Sequence, residues 1–513
     1  MVYYSKLLTS ADPAYSPGGK NRHVEEDMEQ YILAHDLGTS ADKASLYTTE
    51  GKFVKTVTMG YETRSYNENW VEQNPEDWWK IFCAATKKLL EGIDNKNVLC
   101  VAFDGTFPNC LCVDKEGNAL YPAIMWQDVR AVEEAKEIAA LLPKEYLRDG
   151  FGINYLAYQT ITRLMWLKKH EPEIFAKTYK VMSCSQGYLL MKLTGNAVDE
   201  VSTSVITGLM NLTHDDWSDE VLALAGIPRS MMPRLGQMTD IVGEVPEKFA
   251  EECGLAAGTK LVLGTGDTGC TSIGAGMLKP GDAYMNGGTS AGIMVKPAPG
   301  KPRAGGLTAA SGSSLSWLKN TICVSEQQLA KESGKDVYDI LNEEAAKAPI
   351  GSNGVLFHPY LSGERSPRNN PKAKGSFVGI TLTTTRQDII RSVLEGIGLN
   401  INVIFEEVKK SYDIKRMLIV GGLGKGDVAR QIFADIMDVE LVALVHSDEC
   451  ATVGCAVLGG IALGIYKDTT AVEKFMEIKS VTYPNKENHE KYKKIMPLFE
   501  KVYEGLAPVF EEM

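Results

Sequence analysis

Two short glycine turns constrain this 513-residue chain more than any other feature. Asp36-Leu-Gly-Thr-Ser and Asn286-Gly-Gly-Thr-Ser each follow an apolar run, and each leads into a second β-like run. Side chains this small at a hairpin tip leave backbone N–H groups and hydroxyls free to face an anion. Each hydrogen bond to a charged phosphate contributes about 1.5–3 kcal/mol. The turns lie about 250 residues apart, and a third pair, Gly421-Gly422, follows another strand. Taken singly, each reads as an ordinary hairpin. Their pairing suggests two duplicated halves with a nucleotide between them.

The rest of the chain fits more than one domain, since single cores rarely grow past about 250–300 residues. Residues 1–30 are polar and broken by Pro13, Pro17, Gly18 and Gly19, so they read as an extension. Strands are expected over 31–34 and 43–48, joined by a tight turn over 36–40 in which Gly38 supplies backbone freedom. A helix starts at Pro75, with Glu76 and Asp77 at its positive end and Trp78, Phe82, Ala85 and Leu89 at helical spacing. That spacing favours core packing over sugar stacking for Trp78 and Trp79. The final third alternates helices (386–402, 429–437) with short strands (417–420, 441–443).

A formal net charge of −12 repels nucleic acid and anionic membrane. Ten cysteines are scattered with no C-x-x-C pair and no zinc-site spacing. No apolar run has the length of a signal-peptide core or a membrane span. A cytoplasmic protein with neither nucleic acid nor membrane as partner is the expectation.

Two catalytic words must be weighed in this chain. Gly264, Gly266 and Gly269 spell the G-x-G-x-x-G of dinucleotide binding. That reading, an NAD-dependent dehydrogenase, needs a helix of about three turns and an acid about 20 residues further on. Lys279-Pro280-Gly281 cuts the segment short, and the Asp267 carboxylate within about 4 Å of a pyrophosphate would cost about 4 kcal/mol per charge pair. Gly288-Thr-Ser-Ala-Gly292 spells a nucleophile elbow, but Ile293-Met294-Val295 reads as a returning strand where the elbow needs a helix. Asp267 then reads as a cap for the helix that follows.

At this point a resemblance covers residues 31–510. HDLGTS, WVEQNPEDWW, YPAIMWQDVRA, LTGN with DEVSTS, GTGDTG, GDAYMNGGTSAG, FHPYLSGERSPRNNP and GSFVGITL with RSVLEGIG occur in the order of the FGGY carbohydrate kinases, which the chain resembles. The resemblance implies an α/β chain with the two-domain actin-like, hexokinase-like ATPase (ribonuclease H-like) fold and an interdomain cleft. The domains would span 31–276 and 277–513. It implies ATP and Mg²⁺, and a small open-chain ketopentose, sugar acid or polyol as acceptor. Gly38, Thr39 and Ser40 would form the first phosphate loop, Gly288, Thr289 and Ser290 the second, and Gly421 and Gly422 the backing of the adenosine. Asp36 would hold Mg²⁺ through water, and Asp267 would be the catalytic base.

Phe107 and Pro108 depart from the family, which places hydrogen-bonding side chains there. Sugar recognition is therefore expected at Asp104, Thr106, Asn109, Trp126, Gln127 and Asp128. A salt bridge to Arg130 is the alternative for Asp128. Arg163 stands where the family prefers Lys. A catalytically silent sugar- or nucleotide-binding regulator is the rival on the same fold. The family implies a homodimer; the sequence itself leaves the oligomeric state open.

Overall fold

The computed structural model describes residues 29–67, 69–147, 156–299, 301 and 304–513. The expected 1–30 extension lies outside them except for Glu29 and Gln30. Two six-stranded sheets organise the chain. The first runs Ile241–Glu244, Lys260–Gly266, Val98–Gly105, Tyr31–Leu37, Ala41–Thr48, Phe53–Gly60. The second runs Gly305–Leu307, Ala291–Val295, Ala283–Gly287, Arg416–Val420, Glu440–Leu444, Ile478–Thr482.

Their pairings repeat. In each sheet a three-stranded antiparallel meander is followed by two parallel strands, and an antiparallel strand closes the far side. Val98–Gly105 is apolar almost throughout because both its faces are covered, as parallel strands require. Phe53–Gly60 alternates half-buried and exposed, the pattern of an edge strand with one wet face.

Local chemistry sets the helices. Pro75–Leu89 starts where the Asn74 side chain accepts from the Glu76 N–H, and Trp78, Trp79 and Phe82 pack into the first core. Arg386–Lys409 starts at a reciprocal capping box between Thr385 and Asp388 and runs past the expected residue 402. The G-x-S-x-G serine precedes a strand, Ala291–Val295, which pairs antiparallel with Ala283–Gly287. No nucleophile elbow exists there.

The halves are fastened by helix Cys450–Ala462, which packs Val453, Cys455 and Val457 against Ile32, Ala34 and Ala102 of the first sheet. It crosses helix Asp267–Gly274 so closely that a Cβ on Gly454 would stand 2.1 Å from the Cys270 carbonyl oxygen. Polar contacts reinforce this seam. Ser45 Oγ donates to Glu449 Oε2 at 2.9 Å, and the Tyr47 and Thr452 hydroxyls lie 2.8 Å apart. Among the described residues no helix is long and apolar enough to cross a membrane.

Candidate active site

The Tyr31–Leu37 strand continues through Asp36, beyond the residue 34 expected from the sequence, so Asp36 is a strand residue and not part of the turn. Parallel register sets it directly beside Asp104 on Val98–Gly105. Two carboxyls this close in an apolar sheet cannot both ionise freely. Burial pushes Asp36 up to about 6. Burial, and next the Asp36 charge, push Asp104 well above the carboxylate range. Ionisation of Asp36 therefore makes that of Asp104 harder. Asp104 has no exposed surface; its Oδ2 accepts from the Cys455 thiol at 3.0 Å, and its Oδ1 faces no donor except the Asp36 carboxyl.

The first hairpin tip follows at once. Gly38 does not adopt a left-handed backbone. Its use is space, since a Cβ would come 3.2 Å from the Ala41 carbonyl oxygen. The Trp126 indole donates to Thr39 Oγ1 at 3.2 Å, and Gln73 Nε2 donates to the Thr39 carbonyl at 2.6 Å. Ser40 is exposed.

Asp267 opens helix Asp267–Gly274, directly after strand Lys260–Gly266. The cap position falls on Gly266, so Asp267 is the first helical residue rather than the cap. Its carboxylate accepts from the Thr268 N–H at 2.5 Å and the Thr268 hydroxyl at 3.0 Å. The side chain keeps some exposure while protein crowds most of it, and this burial raises its pKa from the ordinary carboxylate value, against the hydrogen bonds from Thr268. The neighbouring glycines serve packing. Gly264 has φ +66° and stands where a Cβ would strike the Phe103 carbonyl oxygen at 1.6 Å. Gly266 lets the Phe107 ring lie against it, where a Cβ would come within 2.0 Å of the ring edge. Eight helical residues are too few for a dinucleotide unit, so these glycines form no dinucleotide fingerprint.

Around Phe107 the structure assembles the other sequence-predicted residues in two tiers. Phe107, Trp126 and Gln127 are half-buried. Thr106, Asn109 and Asp128 lie behind them with at most 1% exposure. Asn109 Nδ2 donates to the Thr106 carbonyl at 2.9 Å, and Asn109 Oδ1 accepts the Trp126 N–H at 3.1 Å. Asp128 makes a salt bridge to Arg130, Oδ2 to Nη2 at 2.7 Å, and accepts the Val71 N–H at 2.6 Å. The Arg130 guanidinium also lies 4.0 Å from the centre of the Trp70 ring. Gln127 Oε1 is buried without a donor.

Sequence reasoning did not assign roles to two residues that organise this wall. Arg163, fully buried, donates to the carbonyls of Pro108 at 2.7 Å, Trp126 at 2.8 Å and Asp128 at 3.1 Å. Glu200 accepts from Thr265 Oγ1 at 2.9 Å, bracing the strand that delivers Asp267. Arg163 stood out only as a change from the family's Lys, and Glu200 only as a letter inside DEVSTS.

On the other side, a cavity of about 960 Å³ opens between the second hairpin and the Gly421–Gly426 loop. Gly288, Thr289 and Gly422 line it, whereas Ser290 and Gly421 are not on its wall. A Cβ on Gly422 would meet nothing within 4 Å, while one on Gly421 would stand 2.8 Å from the Gly287 carbonyl oxygen. Thus Gly421 holds the two loops together, and Gly422 presents bare backbone to the cavity. The first hairpin contributes nothing to this wall.

A repeated sheet order with a hairpin at the head of each half is that of the actin-like ATPases, enzymes that act on nucleotide phosphates in the cleft between the halves. Comparison with known proteins narrows the class. Residues 31–274 match the N-terminal domain of the FGGY family of carbohydrate kinases, and residues 262–463 match its C-terminal domain. The chain belongs to that family and is a carbohydrate kinase. A gluconokinase of Bacillus licheniformis is 29% identical over 494 residues, covering 92% of this chain and 95% of the relative. A xylulose kinase of Bacillus subtilis (strain 168) is 28% identical over 498 residues, covering 92% and 97%. The structure of a ligand-bound xylulose kinase from Lactobacillus acidophilus superposes with a TM-score of 0.81 at 25% identity, over 94% of this chain and 99% of that one.

Proposed function

We propose that this kinase transfers the γ-phosphoryl group of ATP to a hydroxyl of a small open-chain carbohydrate, with Asp267 as general base. The carrying observation is the position of Asp267: first residue of a helix at the junction of the halves, partly exposed, with a pKa raised by burial. A base poised closer to neutrality accepts the hydroxyl proton more readily as the oxygen attacks phosphorus in line. The carbohydrate lies against the half-buried Phe107, Trp126 and Gln127. Thr106, Asn109, Asp128 and Asp104 act one layer back, by holding that wall and Asp36 in place.

The cavity suits a nucleotide in volume and in its bare glycine lining. Gly288 and Thr289 would take the terminal phosphates from one side, with Gly38, Thr39 and Ser40 opposite. Ser290 and Gly421 keep the loops in shape. The Asp36–Asp104 pair fits a divalent cation, because two carboxyls set side by side by the strand register offer hard oxygens to one ion. Mg²⁺ there, held by Asp36 through water, would neutralise phosphate charge. A cytoplasmic setting accords with ten buried, unpaired cysteines.

Relatives named gluconokinase and xylulose kinase leave ketopentoses, sugar acids and polyols as the candidate acceptors. Release of ADP, measured with MgATP against a panel of these, decides among them. One acceptor should raise the rate far above the sugar-free ATPase. No acceleration by any member, with ATP still bound, would favour the silent regulator.

A further inference from the structure

Beneath the proposed cation position lie two thiols that the phosphoryl transfer does not use. Cys270, three residues after Asp267, and Cys455, on helix Cys450–Ala462, point at each other with their sulfurs 3.6 Å apart. Asp104 Oδ2 completes the triangle, 3.0 Å from the Cys455 sulfur. One ligand atom from each of the three residues lies within 4.8 Å of the other two, and none has exposed surface. The surroundings are the apolar seam of Ile32, Ala102 and Val453, where packing alone would need neither thiols nor a carboxyl.

We propose that Asp104, Cys270 and Cys455 form a binding site for a thiophilic divalent cation of the zinc type, and that filling it stops turnover. Tetrahedral zinc with sulfur at about 2.3 Å sets the S–S edge at about 3.8 Å, close to the separation seen. The S–O edge of about 3.5 Å asks Asp104 to draw back by about half an ångström. Asp36, beside Asp104 in the parallel register, supplies a fourth oxygen directly or through water. Binding would release the two thiol protons, since a coordinating thiol is deprotonated outright. The ion would then tie the helix that carries Asp267 to the helix of the other half, and it would take Asp104 away from Asp36. No cysteine spacing in the sequence signals this site, because its three donors are 166 and 185 residues apart along the chain.

The loss of activity rests on the kinase reading given above; the binding does not, so binding is measured first. The full-length protein, reduced and free of nucleotide, is titrated with Cd²⁺ while the ultraviolet thiolate-to-cadmium absorption is followed. Cys270→Ala and Cys455→Ala proteins, matched to wild type by circular dichroism, are titrated alongside. Wild type should take up one equivalent with the thiolate band, and Zn²⁺ should displace it. Each variant should lose at least about 100-fold in affinity, more than the loss of an outer-shell partner costs. Both variants should keep ADP release within about twofold of wild type while escaping Zn²⁺ inhibition, as loss of the ligand rather than of the fold requires. An unchanged band in either variant, or no stoichiometric band in wild type, overturns the site. So does loss of two thiols in air without metal uptake, which would assign the pair to a disulfide.

Discussion

Replacing Arg163 by alanine would leave the carbonyls of Pro108, Trp126 and Asp128 buried without their common donor. Hydrogen bonds to a charged group contribute about 1.5–3 kcal/mol each, so Arg163→Ala should lower unfolding free energy by at least about 3 kcal/mol in urea. Arg163→Lys keeps one donor point and loses the fork; it should fold, and raise the sugar KM more than it lowers kcat. The carboxyl pair gives a prediction in pH. Because Asp36 is raised from 3.8 to about 6, its contribution to stability is full below the unfolded pKa and is lost as pH rises through about 6. A cation that favours the ionised pair reverses this. Thermal unfolding should therefore show a larger gain in Tm on adding Mg²⁺ well above pH 6 than well below it. An equal gain at both would remove Asp36 and Asp104 from the cation site.

Helices Asp267–Gly274 and Cys450–Ala462 touch through glycine, and the tolerance is small. A Cβ on Gly274 would fall 1.8 Å from the Cys450 carbonyl oxygen, and one on Gly454 would fall 2.1 Å from that of Cys270. Overpacking of this kind costs about 1–3 kcal/mol. Gly454→Ala should thus lower stability by that amount and lower kcat as well, because the displaced helix carries Asp267; a variant with normal kcat would sever that link. Elements of this kind differ in how legible they were. Asn74-Pro75 and the Thr385–Asp388 box announce their helices in a few adjacent letters. The crossing at Gly274 and Gly454 joins residues 180 positions apart, and no local signal encodes it. The same holds for Asp36 beside Asp104: each letter was singled out, but the parallel register that makes them one titrating pair was not visible. Asp36 itself was placed in a turn because the glycine beside it resembles turn chemistry. The strand instead runs on to Leu37, where the Asp42 pairing holds it.

At the scale of the whole molecule, the duplication inferred from two glycine turns reappears as two sheets of the same order, and the proposed base lies at the seam between them. Glu449 joins the two sides of that seam. It lines the cavity, accepts from Ser45 across the junction, and approaches Lys43 at 3.9 Å. Glu449→Ala should raise the KM for ATP and lower stability by about 1–3 kcal/mol, since it removes a mostly buried acceptor shared by the Ser45 and Thr452 hydroxyls. On the proposed mechanism, closing of the halves over the acceptor would exclude water, so a sugar-free ATPase rate should stay low. The central claim is that one carboxylate at this seam does the chemistry. Once the acceptor is known, kcat and sugar KM of Asp267→Asn measured beside wild type test it most directly. A fall in kcat of about 10²–10⁴, with sugar KM within about threefold, is the expected result. A variant that keeps its kcat, or that loses only sugar affinity, would contradict the role assigned to Asp267.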